Sequence, residues 1–286
     1  MSRYVVSKVF LGITALAIVA SAAGAGEKGA GSAAGRVASQ SPLIIAHRGD
    51  SKVAPENTLP AFASAVQAGA DLVELDYLHS SDGVPVVFHD GKLDRTTDAC
   101  RLWGGTEIPL ESKTLAELRQ LDAGTWFDSQ FAGTRIPTLE EALGTIQNGS
   151  MTLIERKQGD PETCVKLLTE KQLLDQVVVQ AFDWEFLAGC HKLAPNLVLG
   201  TLGGKELTTE KLDDIATTGA GVVGWHDKDT DAATIAAIHD RGWKAWVWTV
   251  DDPDRAVELV RAGADGIITN RPAAIRQAVE AALAPK

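Results

Sequence analysis

Two histidines and two acidic residues of this sequence are candidates for a reaction centre, because of their chemistry and their positions along strand-like runs. His47 and His89 each follow a short apolar, strand-like run, and a third such run between them carries Glu74 and Asp76. Residues i and i+2 of a strand project from the same face, so the two carboxylates are predicted to point together. Two histidines can serve as general acid and general base, and paired carboxylates can hold a hard cation. The pattern therefore favours metal-assisted hydrolysis of an anionic substrate.

The beginning of the 286-residue chain differs in composition from the rest. Arg3 and Lys8 precede the apolar run 9–20, which small residues follow. This order predicts a signal peptide over residues 1–25, because the run is shorter than the roughly 20 apolar residues of a membrane span. Residues 26–40 are rich in Gly, Ala and Ser and are predicted to form a flexible lead-in. We therefore expect a secreted or periplasmic protein without stable membrane insertion after cleavage.

The remaining residues, 41–286, are predicted to form one domain. The whole chain is 45% hydrophobic and 23% charged, which is typical of a globular protein. Its formal net charge of −11 would become −13 on removal of Arg3 and Lys8. Such an acidic surface argues against nucleic acid or an anionic membrane as the main partner and favours a small-molecule substrate. The sequence does not indicate the oligomeric state.

The three cysteines do not have the spacing of metal ligands. Export would permit a disulfide, and Cys164 and Cys190 lie on consecutive predicted helices. A disulfide between these two residues is therefore a hypothesis from the sequence.

Strand-like and helical stretches alternate along the domain. The strand candidates are Leu43–Ala46, Leu72–Tyr77, Val84–Phe88, Met151–Glu155, Val177–Ala181, Leu197–Leu202, Gly221–Trp225, Ala245–Val250 and Gly266–Thr269. This alternation predicts an α/β fold with a parallel sheet, specifically a TIM-type (β/α)8 barrel. A barrel needs eight strands and nine are predicted, so one is surplus. The doubtful connection is that between the second and third candidates, because residues 80–83 are too few for a helix.

A small insertion after the third strand candidate interrupts the alternation. Residues from about 92 to 135 show no clear strand-helix unit, but they contain a short helical stretch and several aromatic residues. Long loops at the carboxyl end of barrel strands usually lie over the active site, so we expect this insertion to do so.

Short motifs occur in a fixed order along nearly the whole domain, from Ile44 to about Pro272. They are His47-Arg48-Gly49, Pro55-Glu56-Asn57-Thr58, Glu74/Asp76, His89-Asp90, the insertion residues Leu93–Thr97, Leu121–Phe127 and Ile136–Glu141, then Glu155-Arg156-Lys157, Trp248-Thr249-Val250 and Asp265–Thr269. Each motif alone is weak, but their order and spacing resemble the glycerophosphodiester phosphodiesterase family. The resemblance implies a TIM-type barrel that cleaves a glycerophosphodiester to glycerol 3-phosphate and an alcohol.

The same resemblance implies roles for particular residues. It makes His47 and His89 the acid–base pair and makes Glu74, Asp76 and Glu155 the metal ligands. Which histidine is the acid stays open at this point. So does the nucleophile, which is either water or the substrate's own glycerol hydroxyl, with a cyclic phosphate formed first in the second case.

A metal is also expected on electrostatic grounds. Three carboxylates would repel a phosphodiester anion unless a cation reverses the local charge. Oxygen-only ligands favour Ca²⁺ or Mg²⁺ over Zn²⁺, and the predicted export favours Ca²⁺.

Four further residues are candidates for substrate binding. Arg48 and Lys157 can supply positive charge to the phosphoryl oxygens. Glu56 is predicted either to orient Arg48 or the metal site, or to cap the helix that begins near Leu59. Trp248 is predicted to present an apolar wall to the glycerol carbons, with a place in the barrel core as the alternative.

The chain departs from the family at three places. Asp251 stands where the family often has Asn, Asn270-Arg271-Pro272 replaces the more usual Asp-Tyr-Pro, and Gln180-Ala181-Phe182 stands where Ser-Phe is common. None of the three departures affects the proposed acid–base or metal residues.

Two other functions compete with the first interpretation. A phospholipase D-like enzyme would act on lysophospholipids or sphingomyelin and would need an apolar groove for the acyl chain. A non-catalytic binding protein on the same barrel would typically have lost a histidine or a metal carboxylate, whereas all are present here.

Overall fold

The computed structural model describes Met1 and residues 31–284, so residues 2–25 of the predicted signal peptide lie outside the described residues. The strands are β1 (Leu43–Ala46), β2 (Leu72–His79), β3 (Pro85–Val87), β4 (Met151–Arg156), β5 (Val177–Ala181), β6 (Val198–Gly203), β7 (Val222–His226), β8 (Lys244–Trp248) and β9 (Gly266–Thr269). The helices are α1 (Ala33–Val37), α2 (Leu59–Gln67), α3 (Ala99–Trp103), α4 (Leu115–Leu118), α5 (Leu139–Ile146), α6 (Pro161–Glu170), α7 (Trp184–Leu193), α8 (Thr209–Ala216), α9 (Ala232–His239), α10 (Pro253–Arg261) and α11 (Pro272–Leu283).

Eight of these strands form a closed parallel barrel in the order β1-β2-β4-β5-β6-β7-β8-β9, with β9 returning to β1. The closing register places Ile45 opposite both Leu72 of β2 and Ile268 of β9. Helices follow the strands and cover the outside, which leaves most strand residues buried on both faces. The predicted TIM-type barrel is confirmed.

The ninth strand, β3, lies outside the barrel. It pairs antiparallel with β2, with Leu78 opposite Val86 and His79 opposite Pro85. A hairpin turn joins the two strands, and Ser80 N–H donates to the carbonyl of Val84 at 3.0 Å. The surplus strand candidate is therefore the third one, because a parallel neighbour cannot be reached through so short a connection.

The segment between β3 and α5 forms the predicted insertion with its own small apolar core. Leu93, Leu110, Leu118 and Leu121 are fully buried in this core. Phe88, the residue after β3, packs in the same cluster and so joins the insertion to the barrel. The insertion is thereby held beside the carboxyl end of β2, where the predicted site begins.

Part of the predicted flexible lead-in is folded, and that prediction is wrong for residues 33–37. Ala33 and Val37 of α1 are buried beneath the amino-terminal end of the barrel, in one cluster with Trp246. Ala33 N–H donates to the carbonyl of Asp175 at 2.7 Å. Apolar residues four apart on a single helical turn can pack on a surface even when the surrounding composition suggests a linker.

The cysteine hypothesis is also corrected, because Cys100, Cys164 and Cys190 are all free. Cys164 on α6 and Cys190 on α7 are buried in the core between helices and barrel. Both side chains are free thiols, so the core accommodates the pair without a covalent bond. The longest helix among residues 31–284 has 12 residues, and none in that range is both long and apolar enough to cross a membrane.

Candidate active site

The carboxyl ends of β2 and β4 bring three acidic side chains together. Asp76 and Glu155 are register partners on these adjacent strands, and Glu74 is two residues before Asp76 on the same face. Each of the three residues offers an oxygen, and these oxygens lie within 4.8 Å of one another. All three side chains are buried, with Glu74 completely inaccessible. Three carboxylate oxygens at this separation match the donor set that Ca²⁺ and Mg²⁺ use.

Burial and mutual repulsion make the charged form of this triad costly without a cation. Burial, followed by the charges of Asp76 and Glu155, raises the pKa of Glu74 well above its usual value. The same two causes, burial and the Asp76 charge, raise the pKa of Glu155 to about 7. Glu74 Oε1 is buried and has no hydrogen-bond partner among the described residues. An unpartnered buried oxygen facing two further carboxylates is a fitting ligand for a divalent cation.

Two cationic side chains border the triad. Lys157 Nζ contacts Glu155 and lies 3.2 Å from Asp76 Oδ1. Burial lowers the pKa of Lys157, but the charges of Asp76 and Glu155 outweigh it and raise that pKa overall, so the side chain is an ammonium. Arg48 Nε lies 3.4 Å from Asp76 Oδ2, and its backbone N–H donates to Glu74 Oε2 at 2.6 Å. Both cations can therefore reach an anion bound next to the triad.

A buried asparagine holds Asp76 in place from the other side. Asn57 Nδ2 donates to Asp76 Oδ2 at 2.7 Å, and Asp76 N–H donates back to Asn57 Oδ1 at 3.2 Å. Asn57 has a positive φ of 57°, a conformation that Asn tolerates better than most residues. In the sequence, Asn57 stands out only as part of a motif, without a predicted role of its own. Its position in the Pro-Glu-Asn-Thr run was the available signal.

His47 is the more enclosed of the two histidines. Its Nδ1 lies 2.7 Å from Asn270 Oδ1. Burial, and then the positive charge of Arg48, lowers the pKa of His47 to about 4. The imidazole is therefore neutral near pH 7 and can accept a proton there.

His89 belongs to a charged network at the edge of the insertion. Its Nδ1 lies 2.5 Å from Asp90 Oδ1, and Arg95 Nε donates to Asp90 Oδ2 at 2.6 Å. Arg95 also donates to both oxygens of Glu56, which in turn accepts from Arg48 Nη1 at 2.8 Å. Glu56 thus orients Arg48, as one alternative predicted, whereas the helix α2 is preceded by Thr58 rather than by Glu56. The network links the loop after β1 to the insertion.

Both histidines, both cationic side chains and one acidic residue of the triad line a cavity of about 210 Å³ at the carboxyl end of the barrel. Its lining is His47, Arg48, His89, Glu155, Lys157, Gln180, Phe182, Leu202, Trp248, Thr249 and Ile268. Trp248 Nε1 donates to the carbonyl of Gly224 at 3.2 Å, and its ring meets Phe182 edge-on at 5.5 Å. Trp248 therefore forms an apolar wall of the cavity and also packs against a buried cluster of the barrel core, so it meets both predicted alternatives. A larger cavity of about 480 Å³, lined in part by α5 and α6, contains none of these groups.

Comparison with known proteins agrees with this geometry. A model of the Glycerophosphoryl diester phosphodiesterase family matches residues 47–274, a range that begins at His47 and includes every other predicted site residue. The chain belongs to the glycerophosphodiester phosphodiesterase family.

Individual members of the family show the same similarity. A glycerophosphodiester phosphodiesterase of Caldanaerobacter subterraneus subsp. tengcongensis is 34% identical over 250 residues, which cover 80% of this chain and 94% of that protein. One from Bacillus subtilis is 32% identical over 253 residues, or 80% of this chain and 84% of that protein. The solved structure of an Oleispira antarctica phosphodiesterase in complex with the product sn-glycerol-3-phosphate is 30% identical, covers 84% of this chain and 97% of that chain, and superposes with a TM-score of 0.75.

Membership of this family confirms the resemblance read from the motifs, together with the barrel fold and the enzyme class. The protein is therefore an enzyme of the glycerophosphodiester phosphodiesterase class. The individual roles of its site residues rest on the geometry above. Three further residues without a role predicted from the sequence are connected to His47: Ser51 and Asn270 contact it directly, and Asp251 contacts Asn270. Two of them, Asp251 and Asn270, stand among the departures from the family pattern, which was the signal that pointed to them.

Proposed function

We propose that this enzyme hydrolyses glycerophosphodiesters to glycerol 3-phosphate and an alcohol, using His47 and His89 for proton transfer and a divalent cation for charge stabilisation. The observation that carries the proposal is that one cavity brings together both histidines, two cationic side chains and Glu155, which belongs to the acidic triad. The glycerol 3-phosphate complex of the Oleispira antarctica relative supports the same product class.

Glu74, Asp76 and Glu155 would hold the cation, since their oxygens converge and Glu74 Oε1 has no other partner within the described part of the chain. When bound, the cation would act as a Lewis acid on a phosphoryl oxygen. Oxygen-only ligands fit both Ca²⁺ and Mg²⁺, and we propose Ca²⁺ because the protein is predicted to be exported. Arg48 and Lys157 would bind the remaining phosphoryl oxygens, since both border the triad and line the cavity.

His47 would act as the general base. Its pKa of about 4 leaves the imidazole neutral at physiological pH, so the ring can accept a proton. In the tautomer with hydrogen on Nδ1, the Nε2 atom has no proton to donate. The proton would come from the nucleophile, which is either water or the glycerol hydroxyl of the substrate. Detection of a cyclic glycerol phosphate by ³¹P NMR during a single turnover would identify the hydroxyl, and direct formation of glycerol 3-phosphate would identify water.

His89 would act as the general acid for the leaving alcohol. It lines the 210 Å³ cavity and also a wider, open groove of about 770 Å³ formed with the insertion. The groove is lined mainly by polar residues, among them Asp90, Lys92 and Asp94. A head group of variable size would lie in this groove. Because His89 lies between the groove and the cavity, it would be next to the oxygen that leaves with the head group.

The dimensions of the cavity favour a small, water-soluble diester over an acylated one. Its volume of about 210 Å³ lies below the roughly 300–1,000 Å³ of pockets that enclose drug-sized ligands. A lysophospholipid would have to place its acyl chain elsewhere, so the phospholipase D-like alternative is the less favoured one.

We also propose that the enzyme acts outside the cytoplasm, on the basis of the predicted signal peptide over residues 1–25. Expression of the full chain in a bacterial host, followed by fractionation and amino-terminal sequencing of the processed protein, tests this. Recovery of the unprocessed chain from the cytoplasm alone would contradict the proposal.

The central experiment measures glycerol 3-phosphate release from glycerophosphocholine by residues 26–286, with Ca²⁺, with Mg²⁺ and with EDTA. We expect release that depends on a divalent ion and is faster with Ca²⁺. Release only from lysophosphatidylcholine would move the assignment to the phospholipase D-like alternative. No release from either substrate with either ion would leave a non-catalytic binding barrel as the better description.

A further inference from the structure

A chain of three side chains leads from His47 to a carboxylate outside the cavity. His47 Nδ1 lies 2.7 Å from Asn270 Oδ1, and Asn270 Nδ2 donates to Asp251 Oδ2 at 2.7 Å. The other oxygen of Asp251 accepts from Asn270 N–H at 2.8 Å and from Thr269 Oγ1 at 3.1 Å. Asp251 follows β8 and Asn270 follows β9, so the chain crosses two neighbouring strand ends.

The hydrogen bonds to Asp251 determine which way the Asn270 amide points. A carboxylate can only accept hydrogen bonds, so the NH₂ group of Asn270 must face it. The reversed amide would set two oxygens against each other with no hydrogen between them. Asn270 Oδ1 is therefore directed at His47 and at the hydroxyl of Ser51, which lies 2.8 Å away.

This orientation in turn determines the proton position on His47. An amide oxygen is an acceptor only, so the 2.7 Å contact requires hydrogen on His47 Nδ1. In a neutral imidazole the lone pair is then on Nε2. We propose that Asn270 and Asp251 are positioning residues that hold His47 in the Nδ1-protonated tautomer, so that Nε2 is free to accept a proton from the nucleophile. This inference rests on the proposed function in giving His47 the role of base.

The arrangement places a neutral amide, rather than a carboxylate, against the imidazole. The charges that act on the imidazole at longer range are those of Arg48, Asp76 and Glu56, while Glu155 and Lys157 line the same cavity. Asp251 therefore determines the direction of the hydrogen bonds between these side chains, while the Asn270 side chain separates its charge from the imidazole ring. A fixed tautomer and a neutral partner together suit a base better than a permanently charged imidazole.

The substitution Asp251→Asn tests the proposal because it should reverse the direction of each side-chain hydrogen bond between position 251 and His47. The new amide oxygen at position 251 would keep the bonds from Thr269 and from the backbone of residue 270, so the new NH₂ group would face Asn270. Asn270 would then have to turn its oxygen toward position 251 and its NH₂ group toward His47. His47 Nδ1 would become an acceptor and the proton would move to Nε2, which removes the lone pair from the reaction.

The measurement is the ¹⁵N NMR spectrum of the histidine rings in the purified, metal-loaded protein, with His47 assigned by its loss in His47→Gln. We expect the Nδ1–H tautomer in the wild type and the Nε2–H tautomer in Asp251→Asn. The kcat of this variant on glycerophosphocholine should fall roughly 10²–10⁴-fold, with KM changed far less. The matched control is Asp252→Asn, the same change one residue along at the N-cap of α10, which should alter neither the tautomer nor kcat.

The double variant Asp251→Asn/Asn270→Asp distinguishes positioning from simple damage. It restores an acceptor at position 270 and a donor at position 251, so the Nδ1–H tautomer should return and kcat should recover above that of Asp251→Asn. An Nε2–H tautomer in the wild type, or an unchanged tautomer in Asp251→Asn with a normal melting temperature, would overturn the proposal. The spectra do not depend on turnover, so a wild type that has the expected tautomer but no diesterase activity would fail the proposed function alone.

Discussion

Asp76 and Glu155 lie directly opposite each other on β2 and β4, neighbours in the barrel that are separated in sequence by β3 and the insertion. Parallel neighbours are about 4.8 Å apart, and partners in register project from the same face. Two carboxylates are therefore forced into contact in a buried place, with Glu74 beside them. Because like charges at this distance are unfavourable, the triad has a strong preference for a cation.

Replacing one carboxylate of the triad should stabilise the metal-free protein. In Glu74→Gln the amide oxygen can keep the bond from Arg48 N–H, and the new NH₂ group can donate to the neighbouring carboxylates. We expect the metal-free melting temperature to rise by a few degrees, equivalent to about 1 kcal/mol. We expect Ca²⁺ to raise the melting temperature of the wild type but not that of this variant. Differential scanning calorimetry with Ca²⁺ and with EDTA measures both effects.

The control for that change is Glu170→Gln, at the end of α6, where the side chain is largely exposed and its nearest cation, Lys166, is 3.9 Å away. This variant should retain both melting temperatures. A Glu74→Gln protein that is less stable without metal and still stabilised by Ca²⁺ would show that the triad is not the cation site.

Cation affinity should depend on pH, because protons and the cation compete for the same oxygens. The pKa of Glu155 is raised to about 7 by burial and by the Asp76 charge in the absence of a cation. Below that pH the carboxyl binds a proton that the cation must displace, and above it the site is already ionised. Calorimetric titration should therefore show Ca²⁺ binding that weakens as pH falls from 8 to 6, with proton release that grows over the same range. Affinity that is constant between pH 6 and pH 8 would be inconsistent with ligation by Glu155.

Loss of His89, the proposed general acid, should affect rate rather than stability. We expect His89→Asn to lower kcat on glycerophosphocholine by roughly 10²–10⁴-fold, because the leaving alkoxide would no longer receive a proton. A diester whose alcohol leaves as a stable anion, such as a nitrophenyl ester, should lose much less. The control is His239→Gln at the opposite end of the barrel, where the side chain bonds Asp265 and the cavity is distant. Equal losses on both substrates would contradict the acid role of His89.

The sequence was sufficient for the parts of the fold that repeat locally. Alternating runs predicted the barrel, and β1, β5 and β9 match their predicted strand candidates at both ends. Such runs indicate burial but not the neighbour of each strand, so the surplus strand among the nine candidates could not be identified as β3. Its antiparallel pairing depends on a tight turn and on contacts with the insertion. The burial of Val37 was missed because a single helical turn leaves almost no periodic signal.

The candidate site was predictable wherever a motif contains its own chemistry. His47, His89 and the paired acidic residues of β2 could be selected from residue type and spacing. The contact between His47 and Asn270 could not, because 223 residues separate them and only closure of β9 on β1 brings them together. The bond from Arg95 to Glu56 likewise joins the insertion to the first loop, and no local pattern indicates it.

The turn that carries His47 and Arg48 should tolerate no side chain at Gly49. This residue has a positive φ of 85°, and a Cβ there would lie 2.7 Å from the backbone carbon of Ala61 in α2. Gly49→Ala must therefore move either the helix or the turn, and we expect a loss of roughly 2 kcal/mol or more in the free energy of unfolding. Because the turn positions both His47, the proposed base, and Arg48, kcat should fall further than the remaining folded fraction explains. Gly144→Ala in α5 is the control, since a Cβ there meets no atom within 4 Å and should stabilise the helix by roughly 0.5–1 kcal/mol. Urea unfolding together with kcat measured on the folded protein separates the two effects, and a Gly49→Ala enzyme with normal stability and normal kcat would show that the helix yields without moving the site.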